Sequence, residues 1–283
     1  MFMLARLGPV RRALRGSYVA PSGHAALVES PNVAVDGAGL GEIIGELSRS
    51  GLVSGLSLAP DLSDAIRRFA ATTPCFANFD WGYEFLAADH TEAQQRLGRP
   101  ILTGHFFDRV DRCSAIAGIQ QDGLLHQFAV AYLGPRARVI STRLWWSFPT
   151  EAVSDAALNQ ASQDRLHFDL DDWLTLKFFF YLTDVDADSG PFAYLKGSHR
   201  NHERRHQWTL VCGHPNNDVL SAYGEANLHV ALGAAGTGIM VDPFGFHMGL
   251  RPKHTTRLML EIGFGVSTAL RRRFYGAPPR PTI

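Results

Sequence analysis

Near Gly123 the hydrophobic period of this chain changes. Upstream of it, apolar residues recur every three or four positions. Leu40, Ile43, Ile44 and Leu47 form one such stripe, with Gly51 as its stop. Leu62, Ile66 and Phe69 form a second, opening at Pro60 or Asp61, and Phe106, Val110, Cys113 and Ala117 form a third. This spacing places apolar side chains on one face of a helix. Thr91 and Gln94 have the spacing of a capping box that opens a short helix. Downstream of Gly123 the apolar residues gather in short runs at 124–133, 139–148, 174–182, 192–195, 236–241 and 257–266, separated by turns rich in Gly, Pro and Asp. Such runs read as strands. Helices followed by many short strands predict one α+β, mainly β domain, in which a helical preamble (36–122) buttresses a β-sandwich or barrel (123–268).

The rest of the chain attaches to that domain, which spans residues 36–283. Residues 1–35 read as a basic N-terminal arm: the first 28 contain no acidic residue and carry Arg6, Arg11, Arg12 and Arg15. A loosely held arm is the simpler reading and an organelle-targeting segment the alternative. Residues 200–228 form a polar insertion rich in His, Asn and Arg. The formal net charge is +0, which gives no electrostatic case for nucleic acid. No apolar run is long enough to span a bilayer. The three cysteines, Cys75, Cys113 and Cys212, lie far apart and form neither a zinc motif nor a disulfide framework, which points to a reducing compartment, the cytoplasm.

Chemistry enters at His167-Phe168-Asp169. In an extended strand, residues two apart project from the same face. His167 and Asp169 therefore offer one imidazole nitrogen and one carboxylate oxygen side by side, two adjacent ligands for a divalent metal. A second imidazole would complete the two-His, one-carboxylate arrangement of non-haem iron sites. A bare His-x-Asp is common, so the remaining ligand decides. His247 is best placed, after the apolar run 238–241 and the turn Asp242-Pro243-Phe244-Gly245. His199 is its rival. His202, His206, His214, His229 and His254 lie mostly in or near the polar insertion and read as solvent-facing. Arg257 opens the last apolar run. An arginine pointing into a sheet is costly unless an anion meets it, and its guanidinium suits a carboxylate; at a strand end its head can instead stay in water.

His167-x-Asp169, the stretch from Tyr181 through Gly190-Pro191 to Gly197-Ser198-His199-Arg200, then His247 and Arg257, together resemble the phytanoyl-CoA dioxygenase (PhyH)-like family of Fe(II)- and 2-oxoglutarate-dependent oxygenases. The resemblance spans about residues 120 to 266. It implies a double-stranded β-helix (jelly roll, cupin-like) in which His167, Asp169 and His247 hold Fe(II) and Arg257 binds the distal carboxylate of 2-oxoglutarate. By position, Phe179 lines the co-substrate. Lys177, on the same strand face as Tyr181, contacts co-substrate or substrate, or pairs with a buried acid such as Glu261. The implied activity is a 2-oxoglutarate-dependent dioxygenase: hydroxylation of a small-molecule or lipid-like metabolite with O2, releasing succinate and CO2. An aspartate at the ligand position favours hydroxylation over halogenation. Trp146, Trp173 and Tyr181 are candidates for the substrate pocket, with Trp145 beside them. Two alternatives stand: a cupin-like metal dioxygenase that does not use 2-oxoglutarate, and a non-catalytic binding module on the same fold. The sequence departs from the family pattern at Lys196, where proline is common, and at Gly249, where a small hydroxyl residue is common.

Overall fold

The computed structural model describes residues 2–18, 26–37, 39–150, 154, 157–158, 163–200, 202–208 and 212–267. Its strands are β1 (Val33–Val35), β2 (Leu52–Leu58), β3 (Cys75–Ala77), β4 (Glu84–Phe85), β5 (Thr103–His105), β6 (Arg138–Ser147), β7 (Thr175–Tyr181), β8 (Phe192–Leu195), β9 (Leu228–Ala231), β10 (Thr237–Val241), β11 (His247–Gly249) and β12 (Arg257–Gly265). Nine of them form one sheet in the order β1-β2-β10-β7-β12-β6-β5-β3-β4, and the other three form a small sheet, β11-β8-β9. All pairings between these strands are antiparallel. The two sheets are the halves of a double-stranded β-helix.

The alternation of side chains along β7 and β12 shows how the layers form. Leu176, Phe178 and Phe180 of β7, with Leu258, Leu260, Ile262 and Phe264 of β12, pack outward against the helices in the main core. Phe179, Tyr181 and Met259 pack inward with Phe192 and Tyr194 of the small sheet. Because both faces of the large sheet are covered, every residue of β7 and β12 is buried, and these strands read as continuous apolar runs rather than alternating ones. Each fully buried Phe contributes roughly 2–3 kcal/mol of transfer free energy, so this outer face is the largest apolar contribution to stability.

Three sequence expectations change. Residues 124–133, expected as a strand, belong to a helix, Gly123–Leu133. Asp122 caps it, its Oδ1 accepting from the amides of Leu124 (3.0 Å) and Leu125 (3.2 Å). The run looked strand-like because this helix lies between other helices and β7 and is apolar on most sides. The third stripe divides into a 3-10 segment, Phe107–Arg112, and a helix, Ser114–Gln120. Thr91 lies inside the helix His90–Leu97 rather than capping it, and Gln94 Oε1 accepts from the amide of Ile101 instead.

The described part of the N-terminal segment is not loose. Phe2–Ala5 and Gly8–Tyr18 are helical. Arg6 and Arg11 are buried, with Arg6 over Phe168 (5.6 Å) and Arg11 over Phe244 (4.0 Å) and 3.8 Å from Asp242 Oδ1. No helix among the described residues is long and apolar enough to cross a membrane, and Cys75, Cys113 and Cys212 are free thiols.

The helix Leu40–Ser50 ends at Gly51, whose φ of +80° is the left-handed conformation that closes helices. A Cβ there would fall on Tyr194 Oη and on the ring of His199. Gly51→Ala should therefore lower unfolding stability by about 3 kcal/mol, combining the backbone strain with the clash. Urea melts would check this; a loss under ~1 kcal/mol would mean that Tyr194 yields.

Candidate metal centre and cofactor pocket

The floor of the β-helix is built where the segment carrying His167 meets β11. His167 and His247 pair directly: the amide of His167 donates to the carbonyl of His247 (3.0 Å), and the amide of His247 donates back (2.8 Å). Their rings stand side by side with centroids 4.5 Å apart. The amide of Asp169 donates to the carbonyl of Pro243 (2.8 Å), which fixes the segment two residues further on. Alternation then sends His167 and Asp169 into the cavity, which Gln163 also lines, while Leu166, Phe168 and Leu170 enter a separate apolar cluster behind it.

One ligand atom from each of His167, Asp169 and His247 lies within 4.8 Å of the others. His247 Nε2 is 3.5 Å from Asp169 Oδ2, and His167 Nε2 is 4.0 Å from Oδ1. Each imidazole has its Nδ1 on a backbone carbonyl, His167 on Arg165 (2.9 Å) and His247 on Gly245 (2.8 Å). A carbonyl only accepts, so both Nδ1 atoms carry the proton and both Nε2 lone pairs face the carboxylate. This is how metal-binding histidines are oriented. Burial, reinforced by neighbouring His247, holds the pKa of His167 down at about 4, so its lone pair is free at neutral pH. Burial disfavours the charge on Asp169, but Lys177 and then His247 outweigh it and hold the carboxyl well below its usual range.

Lys177 is buried, and its Nζ lies 2.7 Å from Asp169 Oδ2, 2.7 Å from Asp171 Oδ2 and 3.5 Å from Glu261 Oε2. Its ammonium is thus committed to carboxylates, including the Glu261 pairing, and it does not line the cavity as a cofactor contact. Burial alone would disfavour the ammonium, but the three carboxylates more than compensate and raise its pKa well above the ordinary lysine value. Burial raises Asp171 to about 6 even with Lys177 against it.

Arg257 lines the same cavity and is 3% exposed. Its Nη2 donates to Ser147 Oγ (3.1 Å), but its Nε and Nη1 have no hydrogen-bond partner among the described residues. A buried guanidinium with two unpaired nitrogens is costly unless an anion fills the space before it. Phe179, Phe192, Trp145 and Met259 give the same cavity its apolar walls. His105, Arg143, Glu261 and Gln163 give it polar ones. Both ends of the Gln163 carboxamide are buried and unpartnered among the described residues.

Other candidates lie outside the cavity lining, Trp146 by strand parity and the rest by position. Trp146 follows Trp145 on β6 and so points outward against the helix-packed core, while Trp145 lines the cavity. Trp173 packs behind the floor, between two apolar clusters. Tyr181 faces inward but lies beneath the cavity, its hydroxyl donating to the carbonyl of Ala231 and accepting from the amide of Phe192 (both 2.8 Å). His199 sits in a 3-10 turn with its Nε2 on the carbonyl of Ser48, away from the cluster. Gln163 and His105 were not anticipated. Neither carries a periodic signal: the left-handed Asp164 and the bend at 164–165 interrupt any alternation between Gln163 and His167, and β5, which holds His105, is only three residues long.

The phytanoyl-CoA dioxygenase (PhyH) family pattern matches residues 58–250 of this sequence. The chain belongs to the PhyH family. Among curated proteins no sequence matches it significantly. Solved structures share the PhyH-type fold at low sequence identity. The apo form of EctD from S. alaskensis superposes with a TM-score of 0.58 at 15% identity, covering 87% of this chain and 80% of that one. The epimerase SnoN, in complex with Fe3+, alpha ketoglutarate and nogalamycin RO, gives 0.54 at 14%, covering 86% and 93%. HygX from Streptomyces hygroscopicus, with nickel, 2-oxoglutarate and hygromycin B bound, gives 0.51 at 14%, covering 80% and 87%.

Proposed function

We propose that this protein is an Fe(II)- and 2-oxoglutarate-dependent dioxygenase that hydroxylates a small molecule. The observation that carries this reading is Arg257, a buried guanidinium with two unpaired nitrogens sharing one cavity with His167, Asp169 and His247. A metal site alone would suit many reactions. A metal site with an anion receptor across the cavity suits a co-substrate that chelates metal at one end and presents a carboxylate at the other, as 2-oxoglutarate does. The residues fit both groups: two imidazoles with fixed tautomers and one carboxylate for the metal, and a guanidinium fork for the distal carboxylate. PhyH membership and the iron- and 2-oxoglutarate-bound structures of similar fold support the same reading.

When bound, iron supplies the O2 chemistry that couples decarboxylation of 2-oxoglutarate to substrate oxidation. The chain's own residues do the positioning. Lys177 and the Pro243 carbonyl fix Asp169, the Arg165 and Gly245 carbonyls fix the two rings, and Phe179 and Phe192 keep water from the wall between metal and Arg257. His105, Arg143 and Gln163 favour a polar small metabolite over a lipid-like chain as substrate. A retained Asp169 favours hydroxylation.

Anaerobic addition of Fe(II) and then 2-oxoglutarate should produce a visible metal-to-ligand charge-transfer band. Folded, metal-loaded protein that gives no band would eliminate 2-oxoglutarate and leave the cupin-like alternative. With the band in hand, Arg257→Ala should weaken 2-oxoglutarate binding on the order of 100-fold, the loss expected when a desolvated charge-paired contact is removed, while iron stays bound. Unchanged affinity would remove Arg257 from this role.

A further inference from the structure

We propose a second metal site in the polar insertion, formed by His206, His214 and Asp218, that takes a divalent cation of the zinc class. The insertion's histidines are not solvent-facing: His202, His206 and His214 are 2%, 1% and 7% exposed. Histidines in a polar surface segment gain nothing from burial unless their nitrogens are used.

The three residues come from three short pieces of chain. His206 lies on the helix Arg204–Gln207, Asp218 in the first turn of the helix Asn216–Tyr223, and His214 two residues ahead of that second helix. Their ligand atoms nevertheless lie within 4.8 Å of one another. His206 Nε2 is 2.9 Å from Asp218 Oδ2, and the rings of His206 and His214 are 4.6 Å apart. His206 Nδ1 rests on Tyr223 Oη (3.0 Å), which also accepts from the amide of Glu203 (2.8 Å). That hydroxyl can donate to Nδ1 or accept from it, so His206 can carry its proton on Nδ1, with Tyr223 as acceptor, and turn the Nε2 lone pair to a metal. His214 Nε2 is buried and has no hydrogen-bond partner among the described residues. A His206–Asp218 hydrogen bond explains two of the three groups but leaves this nitrogen idle. A cation between them uses all three.

Two imidazoles and one carboxylate, with Asp218 one-third exposed to admit a water as fourth ligand, are the donor set of a borderline cation such as zinc rather than of calcium or magnesium. Asp218 Oδ1 is taken by Arg205, so the carboxylate would bind through one oxygen. This site is separate from the iron platform and backs onto it. Phe168 points away from the cavity and lies parallel to His214 with ring centroids 6.2 Å apart, and the amide of His214 donates to the carbonyl of Leu166 (2.9 Å). The cation would fasten the insertion to the strand that carries His167.

The test uses the full-length His167→Ala/His247→Ala protein, which removes the iron platform, and zinc as probe. After dialysis against buffered zinc it should retain one equivalent by elemental analysis, and its thermal midpoint should rise by several degrees over the metal-free form. Adding Asp218→Asn, a near-isosteric change, should remove both the retained zinc and the rise. Cobalt in place of zinc should give the intense visible absorption of a four-coordinate site. Zinc retention below 0.2 equivalents in the double variant, or retention unchanged by Asp218→Asn, overturns the proposal. Neither outcome depends on whether 2-oxoglutarate is the co-substrate.

Discussion

Asp169→Ala protein should remain folded and lose both stoichiometric iron and succinate release, with turnover down on the order of a thousand-fold or more. Folding survives because Lys177 keeps two of its three carboxylates, Asp171 at 2.7 Å and Glu261 at 3.5 Å, so no buried charge is orphaned. Metal binding fails because Asp169 is the only carboxylate among the three ligands, and without it two imidazoles alone face the cation. Asp169→Asn, which keeps an oxygen donor but not the charge, should fall between. Metal content, succinate assay and a thermal melt on the same samples separate the cases. Wild-type iron content with wild-type turnover in the Ala variant would remove Asp169 from the metal set.

Lys177→Met should be the most destabilising change in the cavity, by roughly 3–5 kcal/mol above neutral pH, the range for breaking a buried pair from one side. It leaves Asp169, Asp171 and Glu261 clustered around an apolar tip. The effect should depend on pH with a definite sign. Asp171 already has its pKa raised to about 6 by burial, although Lys177 opposes that, and losing the ammonium raises it further. A carboxyl whose folded pKa lies above its unfolded value binds its proton more tightly when folded. The associated stability is therefore present in acid and is lost as pH rises through the folded value. The variant should be closest to wild type near pH 5 and fall away above pH 6. Urea melts at pH 5 and pH 8 measure this; an equal loss at both would mean the three carboxylates do not share a field.

What the sequence revealed followed the physics of each signal. His167 and Asp169 were readable because period-two geometry is strict and two residues suffice to define it. His247 and Arg257 were readable because each adjoins a compact apolar strand. The helix Gly123–Leu133 was misread because a nearly uniform apolar run has no period, although Asp122 ahead of it was a cap signal in plain view. β2 was hidden because Gly55 interrupts it and Gly51 looked like the end of the helical stripe rather than the hinge into the next strand. Trp145 rather than Trp146 lines the cavity because register on β6, not side-chain type, decides which of two neighbours faces in. The insertion's histidines read as surface because the segment is polar on average, whereas burial is decided atom by atom, as with Tyr223 against His206.

The reciprocal amide–carbonyl pair between His167 and His247 has a consequence for metal exchange. The spacing of the two imidazoles is a property of the sheet, present before any ion arrives. An ion can leave and another enter without the chain refolding, so exchange is limited by ligand dissociation and by access through the cavity mouth. The centre is a socket rather than a clasp: it should accept nickel, cobalt or zinc in iron's place with little change in its stability curve.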